Sequence, residues 1–266
     1  MTKKKKSQAS KANSQIDPKT RTSKLKPTEA KQLVCLLGDE QLVKEYSAAF
    51  QTNGVAVMEL KNLTSLKTST KKISIAFELS LESSETKIHN VITLDEMLDP
   101  SIPILSNSIT STVLSQAQSL RHKERLAGIA AFPTLVENKL VEVAPSLYTS
   151  TEIAEKIKSF FADVKKETAI IEDSVGMVMP RILCQIINEA LFAVQNDVAN
   201  PKDIDTAMKL GTNYPHGPIE WGEKIGFKNI VAVLDALYNN HGEERYRVAP
   251  LLRQMAIAGT FWKPKE

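Results

Sequence analysis

A glycine followed by two acids is the first feature of the chain that could carry chemistry. The run Gly-Asp-Glu-Gln-Leu-Val at residues 38–43 follows an apolar segment at 32–37, and a second apolar segment occupies 55–60. Strand, turn, helix and strand in this order, with Glu59 about 20 residues past the turn, is the layout of a dinucleotide-binding βαβ unit. Gly38 and Glu59 are therefore the candidate cofactor-binding residues.

The turn departs from the pattern that such a unit needs. Three glycines normally let backbone amides approach a pyrophosphate, and here only Gly38 is present, with Asp39 and Glu40 beside it. Side-chain bulk and like-charge repulsion both oppose the phosphates, so we expect that NAD is not bound. Glu59 could still bond a ribose hydroxyl, although an acid at the end of a strand is commonly just solvated.

Hydrophobic periodicity predicts the elements that position these residues. After the βαβ unit, with its helix at 42–53, the pattern predicts strands at 73–78 and 169–172 and helices at 85–97, 149–165, 180–195 and 229–239. An apolar segment at 104–108 leads into a Ser/Thr-rich turn. The order indicates an α/β domain followed by a helical one.

Several multi-residue motifs of the second half occur in a fixed order. They are Asp-Ser-Val-Gly-Met-Val-Met-Pro-Arg at 173–181, Gly-Pro-Ile-Glu-Trp at 217–221 and Arg-Tyr-Arg-Val-Ala-Pro-Leu-Leu at 245–252. This set resembles the all-helical C-terminal domain of the 3-hydroxyacyl-CoA dehydrogenases. The resemblance implies a shortened, Rossmann-like, NAD-binding-type domain at 31–172 and an all-α dimerisation domain at 173–266, in a family that oxidises 3-hydroxyacyl-CoA with NAD.

Residues that match the family's catalytic positions are largely replaced. The catalytic serine falls on Ile109, the histidine that acts as general base on Ala130, and the substrate-contacting asparagine on Pro180. The glutamate that orients the histidine is retained as Glu142, the one catalytic position still present. Without an imidazole this carboxylate has no proton-transfer task, so we expect it to cap a helix or form a salt bridge.

Substitutes for these groups are few. Ser108, Thr110 or Ser111 would replace the serine only after a register shift, and none of the four histidines occupies the matching place. His216 is expected to be a solvated loop residue. The connection between Glu59 and residue 73 is also too short for the helical hairpin with which the family clamps CoA.

Three hypotheses follow from this pattern. The first is a catalytically impaired member that acts as a regulatory or assembly subunit. The second is an active NAD-dependent dehydrogenase that uses displaced residues, and the third is an acyl-CoA or nucleotide binding module without turnover. The wide apolar stripe of the helix at 180–195 favours a homodimer, or a heterodimer with an active paralogue, through the C-terminal helices.

Charge and composition limit the other kinds of partner and compartment that the chain could have. Residues 1–27 carry nine Lys/Arg against Asp17, whereas the whole chain is only +3. This segment, within the tail at 1–30, is predicted to be disordered and solvated, because it lacks the aromatic or amphipathic pattern of a nucleic-acid or membrane arm. No apolar run is long enough to span a membrane. Cys35 and Cys184 are expected to be reduced, buried thiols of a cytoplasmic protein, and no metal site is predicted.

Overall fold

A seven-stranded sheet with helices on both faces is followed by a helical domain in the computed structural model, which describes residues 32–61 and 73–259. The strands are β1 Leu33–Leu37, β2 Ala56–Glu59, β3 Ile73–Glu78, β4 Ile104–Asn107, β5 Leu126–Ile129, β6 Leu140–Pro145 and β7 Glu167–Ile170. The helices are α1 Glu40–Thr52, α2 Glu85–Met97, α3 Val113–Ala117, α4 Thr151–Asp163, α5 Met179–Gln195, α6 Pro201–Thr212, α7 Pro218–Ile225, α8 Phe227–His241 and α9 Pro250–Ala258. The predicted disordered tail at 1–30 lies outside the described residues.

The strand order is β2-β1-β3-β4-β5-β6-β7, and all neighbours are parallel except β5 and β6. The predicted fold class is confirmed: a Rossmann-like, mostly parallel sheet precedes an all-helical domain. Because β6 runs against β5, the start of β6 lies at the same edge of the sheet as the ends of β4 and β5. This edge faces the entrance to α5.

The predicted element bounds are largely reproduced, and β3 and α2 have the predicted bounds. The final strand begins two residues earlier than predicted, because α4 ends at Asp163 and Lys165 takes a left-handed φ of 60° that redirects the chain. Ser150 is the residue that caps α4: its Oγ accepts from the amide of Ile153 at 3.3 Å.

Two hydrophobic cores hold the sheet between its flanking helices. On one face, α1 and α4 cover an aromatic cluster in which Phe77 is central, formed by Tyr46, Phe50, Phe77, Phe160 and Phe161. On the other face, α2 and α3 pack on a core that continues into the helical domain. Cys35 and Cys184 are both free and buried, as predicted, and burial raises the pKa of the Cys35 thiol to about 12.

Gly38 is required where two segments of backbone cross at the end of β1. Its φ is +122°, and a Cβ atom would lie 2.4 Å from the amide nitrogen of Ser80 and 2.6 Å from the carbonyl carbon of Leu79. Both neighbours are backbone and cannot swing away. The glycine of the predicted cofactor turn therefore has a packing role that is independent of any ligand.

α5 forms the centre of the helical domain and packs against α7, α8 and α9. Its buried side chains include Leu183, Cys184, Ile187 and Leu191, whereas Ile182 is 51% exposed. Pro180 lies in the first turn of α5, where the lack of an N–H has no cost. None of the helices in the described ranges is long and apolar enough to cross a membrane.

Replacing Gly38 by alanine is expected to destabilise the protein by about 2–4 kcal/mol, because left-handed strain adds to a backbone clash. Gly54→Ala is the matched control: Gly54 also has a positive φ, but nothing lies within 4 Å of its Cβ position. We expect the control to cost only about 1–2 kcal/mol. Urea unfolding measures both, and equal losses in the two variants would contradict the crossing role of Gly38.

Candidate functional site

The four positions that match the family's catalytic residues meet at the edge of the sheet where α5 begins. The amide of Gly176 donates to the carbonyl of Ile109 at 2.8 Å, and the amide of Ala130 donates to the carbonyl of Glu142 at 3.3 Å. Glu142 in turn reaches the two residues before Pro180. The structure thus brings together Ile109, Ala130, Glu142 and Pro180, all from separate elements.

Glu142 caps α5. Its Oε2 accepts from the amide of Val178 at 2.9 Å, and its Oε1 accepts from the amide of Met179 at 2.7 Å. Val178 is the N-cap residue, and its own side chain makes no capping bond. A carboxylate at a helix N-terminus satisfies amides that lack intrahelical partners and also complements the helix dipole. Of the two expected roles, a helix cap or a salt bridge, Glu142 has the first.

The place that an imidazole would occupy is nearly closed. A cavity of about 30 Å³ is lined by Ala130, Glu142 and Met179, together with aromatic side chains from α1 and α4. Its size corresponds to about one water molecule, whereas small-molecule sites usually measure several hundred Å³. Ile109 is fully buried and Pro180 is buried as well. Little space therefore remains beside Ala130 and Glu142, whereas a wider cavity of about 650 Å³ is lined by Thr110, Ser111 and Val175, next in sequence to Ile109 and Gly176.

Hydroxyl groups of the Ser/Thr turn are committed to internal hydrogen bonds. Ser108 is 1% exposed, and its Oγ donates to the carbonyl of Ser106 and accepts from Gln116. Thr110 donates to the carbonyl of Leu81, and the Oγ of Ser111 also accepts from Gln116. The three hydroxyls considered as replacements for a catalytic serine thus hold the turn in place.

The predicted cofactor turn opens onto a larger cavity of about 790 Å³, lined in part by Gly38, Asp39, Lys61, Ser80 and Asn90. Asp39 precedes the first residue of α1, and its Oδ2 accepts from the amide of Leu81 at 2.8 Å. Two carboxylates therefore stand at the helix N-terminus, since Glu40 follows directly and pairs with Lys44.

Glu59, the second candidate cofactor residue, ends β2 beside Leu36 and is exposed. On that side the cavity wall is formed by Leu60 and Lys61.

A buried ion pair below this cavity is a feature that sequence reasoning missed. Lys87 Nζ lies 3.0 Å from Glu78 Oε2, both side chains are almost completely buried, and the ammonium also donates to the carbonyls of Ser80 and Asn107. Burial lowers the pKa of Lys87, and the neighbouring Glu78 offsets part of that effect. Glu78 also accepts from Ser80 and Asn90, which line the cavity. Nothing in the polar sequence of α2 distinguishes Lys87 from a solvated lysine.

Two family models match the chain. Residues 35–174 match "3-hydroxyacyl-CoA dehydrogenase, NAD binding domain", and residues 176–266 match "3-hydroxyacyl-CoA dehydrogenase, C-terminal domain". The chain belongs to the 3-hydroxyacyl-CoA dehydrogenase family. Within the described residues, no group of three or more His, Cys, Asp or Glu side chains is placed to hold a metal ion.

The chain is similar in sequence to several curated dehydrogenases of hydroxyacyl-CoA. The chain is 32% identical to a probable 3-hydroxybutyryl-CoA dehydrogenase of Bacillus subtilis over 189 residues, which cover 71% of this chain and 66% of that protein. It is 40% identical to the 3-hydroxyadipyl-CoA dehydrogenase of Escherichia coli, but over only 50% of this chain and 28% of that protein. The matches to these two relatives thus span less than two thirds of their length.

Solved structures of the same fold agree with the architecture. FadB2 of M. tuberculosis superposes with a TM-score of 0.77 at 19% identity, covering 86% of this chain and 94% of that one. The (S)-3-hydroxybutyryl-CoA dehydrogenase PaaH1 from Ralstonia eutropha superposes with a TM-score of 0.69 at 23% identity, covering 86% of this chain and 95% of that one. At these identities the likeness establishes the fold alone.

Glu142→Ala is expected to lower the free energy of unfolding by about 0.5–2 kcal/mol, because two amides at the start of α5 lose their acceptor. Glu155→Ala, at an exposed position in α4, is the control and should change stability by less than about 0.5 kcal/mol. Urea unfolding provides the comparison, and amide hydrogen exchange at Val178 and Met179 should accelerate in the first variant alone. A Glu142→Ala protein as stable as the control would rule out the capping role.

Proposed function

We propose that this member of the family is non-catalytic and serves as an assembly or regulatory subunit in acyl-CoA metabolism. The observation that carries this proposal is the use of both Glu142 oxygens by the start of α5, next to a cavity that holds about one water. Ala130 supplies no imidazole for this carboxylate to orient, and the carboxylate instead holds two backbone amides at the start of α5.

Oxidation of a 3-hydroxyacyl group needs a base that takes the proton from the hydroxyl oxygen while a hydride leaves the carbon that bears this hydroxyl. Ile109, Ala130 and Pro180 offer no side-chain group that accepts a proton or donates a hydrogen bond. Loss of one acid–base group alone costs roughly 10²–10⁴ in rate, and here the supporting serine and asparagine positions are replaced as well. These losses act on the same step, which argues against the alternative of an active enzyme with displaced residues.

The residues at the dinucleotide turn do not fit NAD. Asp39 and Glu40 place two carboxylates at the N-terminus of α1, where a pyrophosphate would need amides free of negative charge. The remaining glycine, Gly38, is required by the close approach of the backbone at Ser80, whether or not a phosphate binds. We therefore derive no step through a nicotinamide cofactor.

Exposed apolar surface on the helical domain supports an assembly role. α6 has no buried residue, although Ile204, Ala207 and Met208 form a stripe at helical spacing. Among the residues of this domain that the structure describes, four large apolar side chains are more than half exposed: Ile182, Val198, Leu210 and Ile257. Ile204 packs partly against the core and α6 contacts α7, so the unpartnered apolar surface is the outer side of α6 at Leu210. A second copy of this chain, or an active paralogue, would cover this surface.

Two buried, free thiols favour the reducing cytoplasm as the compartment of the protein.

The cavity of about 790 Å³ at the end of β1 favours a second candidate function, a binding module without turnover. Its volume is within the range of small-molecule sites. An acyl-CoA or a nucleotide would then bind without reacting, with its phosphates away from the carboxylates of Asp39 and Glu40.

The first test is an assay of NADH oxidation with acetoacetyl-CoA, applied to the wild type and to Glu142→Gln. We expect no turnover above background in either protein, because neither contains a general base at position 130. Thermal unfolding with acetoacetyl-CoA alone, in the same samples, separates the second candidate: a higher midpoint without NADH consumption identifies a binding module. Saturable turnover that is lost in Glu142→Gln would refute the non-catalytic proposal.

The assembly proposal predicts a dimer in sedimentation equilibrium. Leu210→Glu places a charge on the exposed surface of α6 and should weaken association at least about tenfold, since burial of an unpaired charge is costly. Glu155→Ala, on α4 of the first domain, should leave association unchanged. A monomer across the whole concentration range, both alone and mixed with an active paralogue, would contradict the assembly role.

A further inference from the structure

A groove of about 970 Å³ lies between the two domains, apart from the cavity at Gly38, with which it shares no lining residue. Its walls come from the second half of α1, from residues 134–139, from the turn between α4 and β7, and, in the helical domain, from α7 and the loop before it. Neither the family's catalytic positions nor the proposed assembly surface accounts for it.

Positive charge dominates the lining of this groove. Four lysines face two glutamates, Glu45 and Glu137; the lysines are Lys139, Lys165, Lys166 and Lys224. Glu45 is already engaged, since it accepts from the amide of Thr134 at 3.2 Å. Within the described ranges, Lys139, Lys165 and Lys166 have no carboxylate within 4.0 Å. The groove therefore carries charge that the described part of the chain does not neutralise.

Lys166 is held in the wall of the groove. Its Nζ donates to the carbonyl of Val136 at 2.6 Å and to that of Asn138 at 2.7 Å. Burial lowers the pKa of Lys166, with Glu137 offsetting part of the effect. An ammonium has three N–H donors, and two are used here. A half-buried cation whose partners in the described residues are neutral carbonyls would gain from a nearby anion more than a solvated lysine would.

Two residues of the groove wall have strained backbone conformations. Thr134 and Lys165 both line the groove, and both have positive φ, 72° and 60°. Neither is glycine or asparagine, so each conformation costs energy that the surrounding structure must offset. The amide of Thr134 is held by Glu45, and its hydroxyl accepts from Trp221 Nε1 at 3.3 Å. Thr134 thereby links α1 of the first domain to α7 of the second.

Among the described residues, the negative groups near the groove neutralise Lys224, which pairs with Glu220 at 3.2 Å, but leave Lys139, Lys165 and Lys166 without an ion pair. The last carbonyls of α1 are partly satisfied, because Thr52 and Asn53 donate to the carbonyls of Ala48 and Ala49. Glu220 lies beside Lys224 and Lys209, and His216 Nδ1 lies 2.9 Å from its Oε1, so His216 is not the freely solvated loop residue that was expected. Hydrogen bonds from Lys224, His216 and Lys209 hold the pKa of Glu220 at about 2.

We propose that this interdomain groove binds an anion that carries two or more phosphate groups. The unpaired lysines come from two separate segments, 134–139 and 164–166, and Lys224 faces them from the helical domain. A ligand that contacts both sides would fix the angle between the domains through the link at Thr134. Phosphate suits such a site because compact, multiply charged oxygens accept from several ammonium groups at once.

The test is thermal unfolding of the full chain with inorganic pyrophosphate and with tripolyphosphate, each against sodium chloride of equal ionic strength. We expect the midpoint to rise with polyphosphate concentration as saturable binding requires, and sodium chloride to have no comparable effect. Lys139→Gln/Lys165→Gln should weaken the apparent affinity at least about tenfold. Both side chains are exposed, so this double variant should fold normally.

Lys158→Gln is the matched control, because Lys158 is exposed on α4 and does not line the groove. It should bind as the wild type does. The proposal is overturned if no saturation occurs up to about 10 mM ligand, a limit that leaves only affinities weaker than millimolar. It is equally overturned if the double variant responds as the wild type does, since the anion would then bind elsewhere, including the cavity at Gly38.

Discussion

The bond between the Glu142 carboxylate and the first amides of α5 is the interaction on which the rest of the structure depends. It joins the sheet to the helix at the centre of the second domain, and it lies where the family's catalytic residues would meet. One carboxylate accepts hydrogen bonds from two amides that lack intrahelical partners, and its negative charge also complements the dipole of a 17-residue helix. A side chain fixed in this way has a structural role that does not require an imidazole at position 130.

The neighbouring replacements are consistent with this use. An apolar Ile109, a small Ala130 and a proline in the first turn of α5 need no hydrogen-bond partners, so they can fill the edge of the sheet without burying unsatisfied groups. The polar side chains that remain nearby have become structural: Asn107 bridges to the backbone of Ala131. Packing and helix capping thus account for the residues at these positions without reference to a reaction.

Much of the fold follows from the sequence because its signals are local. Apolar segments bounded by glycine or proline form the strands. In the structure the side chains of Ser84 and Ser150 cap the N-termini of α2 and α4. The retained glutamate was expected to cap or to form a salt bridge, but its partners, the amides of Val178 and Met179, depend on β6 lying against the entrance to α5. No local pattern specifies that contact.

Tertiary context also explains what the sequence did not reveal. Lys87 lies in a helix of polar sequence, and its buried partner Glu78 lies at the end of β3, which only the folded chain brings beside it. The start of β7 depends on the left-handed Lys165, a conformation that a lysine rarely adopts and that sequence does not indicate. The basic interdomain groove likewise arises from lysines in separate segments that only the folded chain brings together.

The most direct test of the central claim is a fluorescence titration of NADH into the purified protein, followed by addition of acetoacetyl-CoA. With carboxylates at the cofactor turn and no base beside Glu142, we expect no saturable enhancement of cofactor fluorescence at millimolar NADH and no NADH consumption. Saturable binding followed by consumption on addition of acetoacetyl-CoA would contradict the account, because the chain would then contain a working hydride-transfer site.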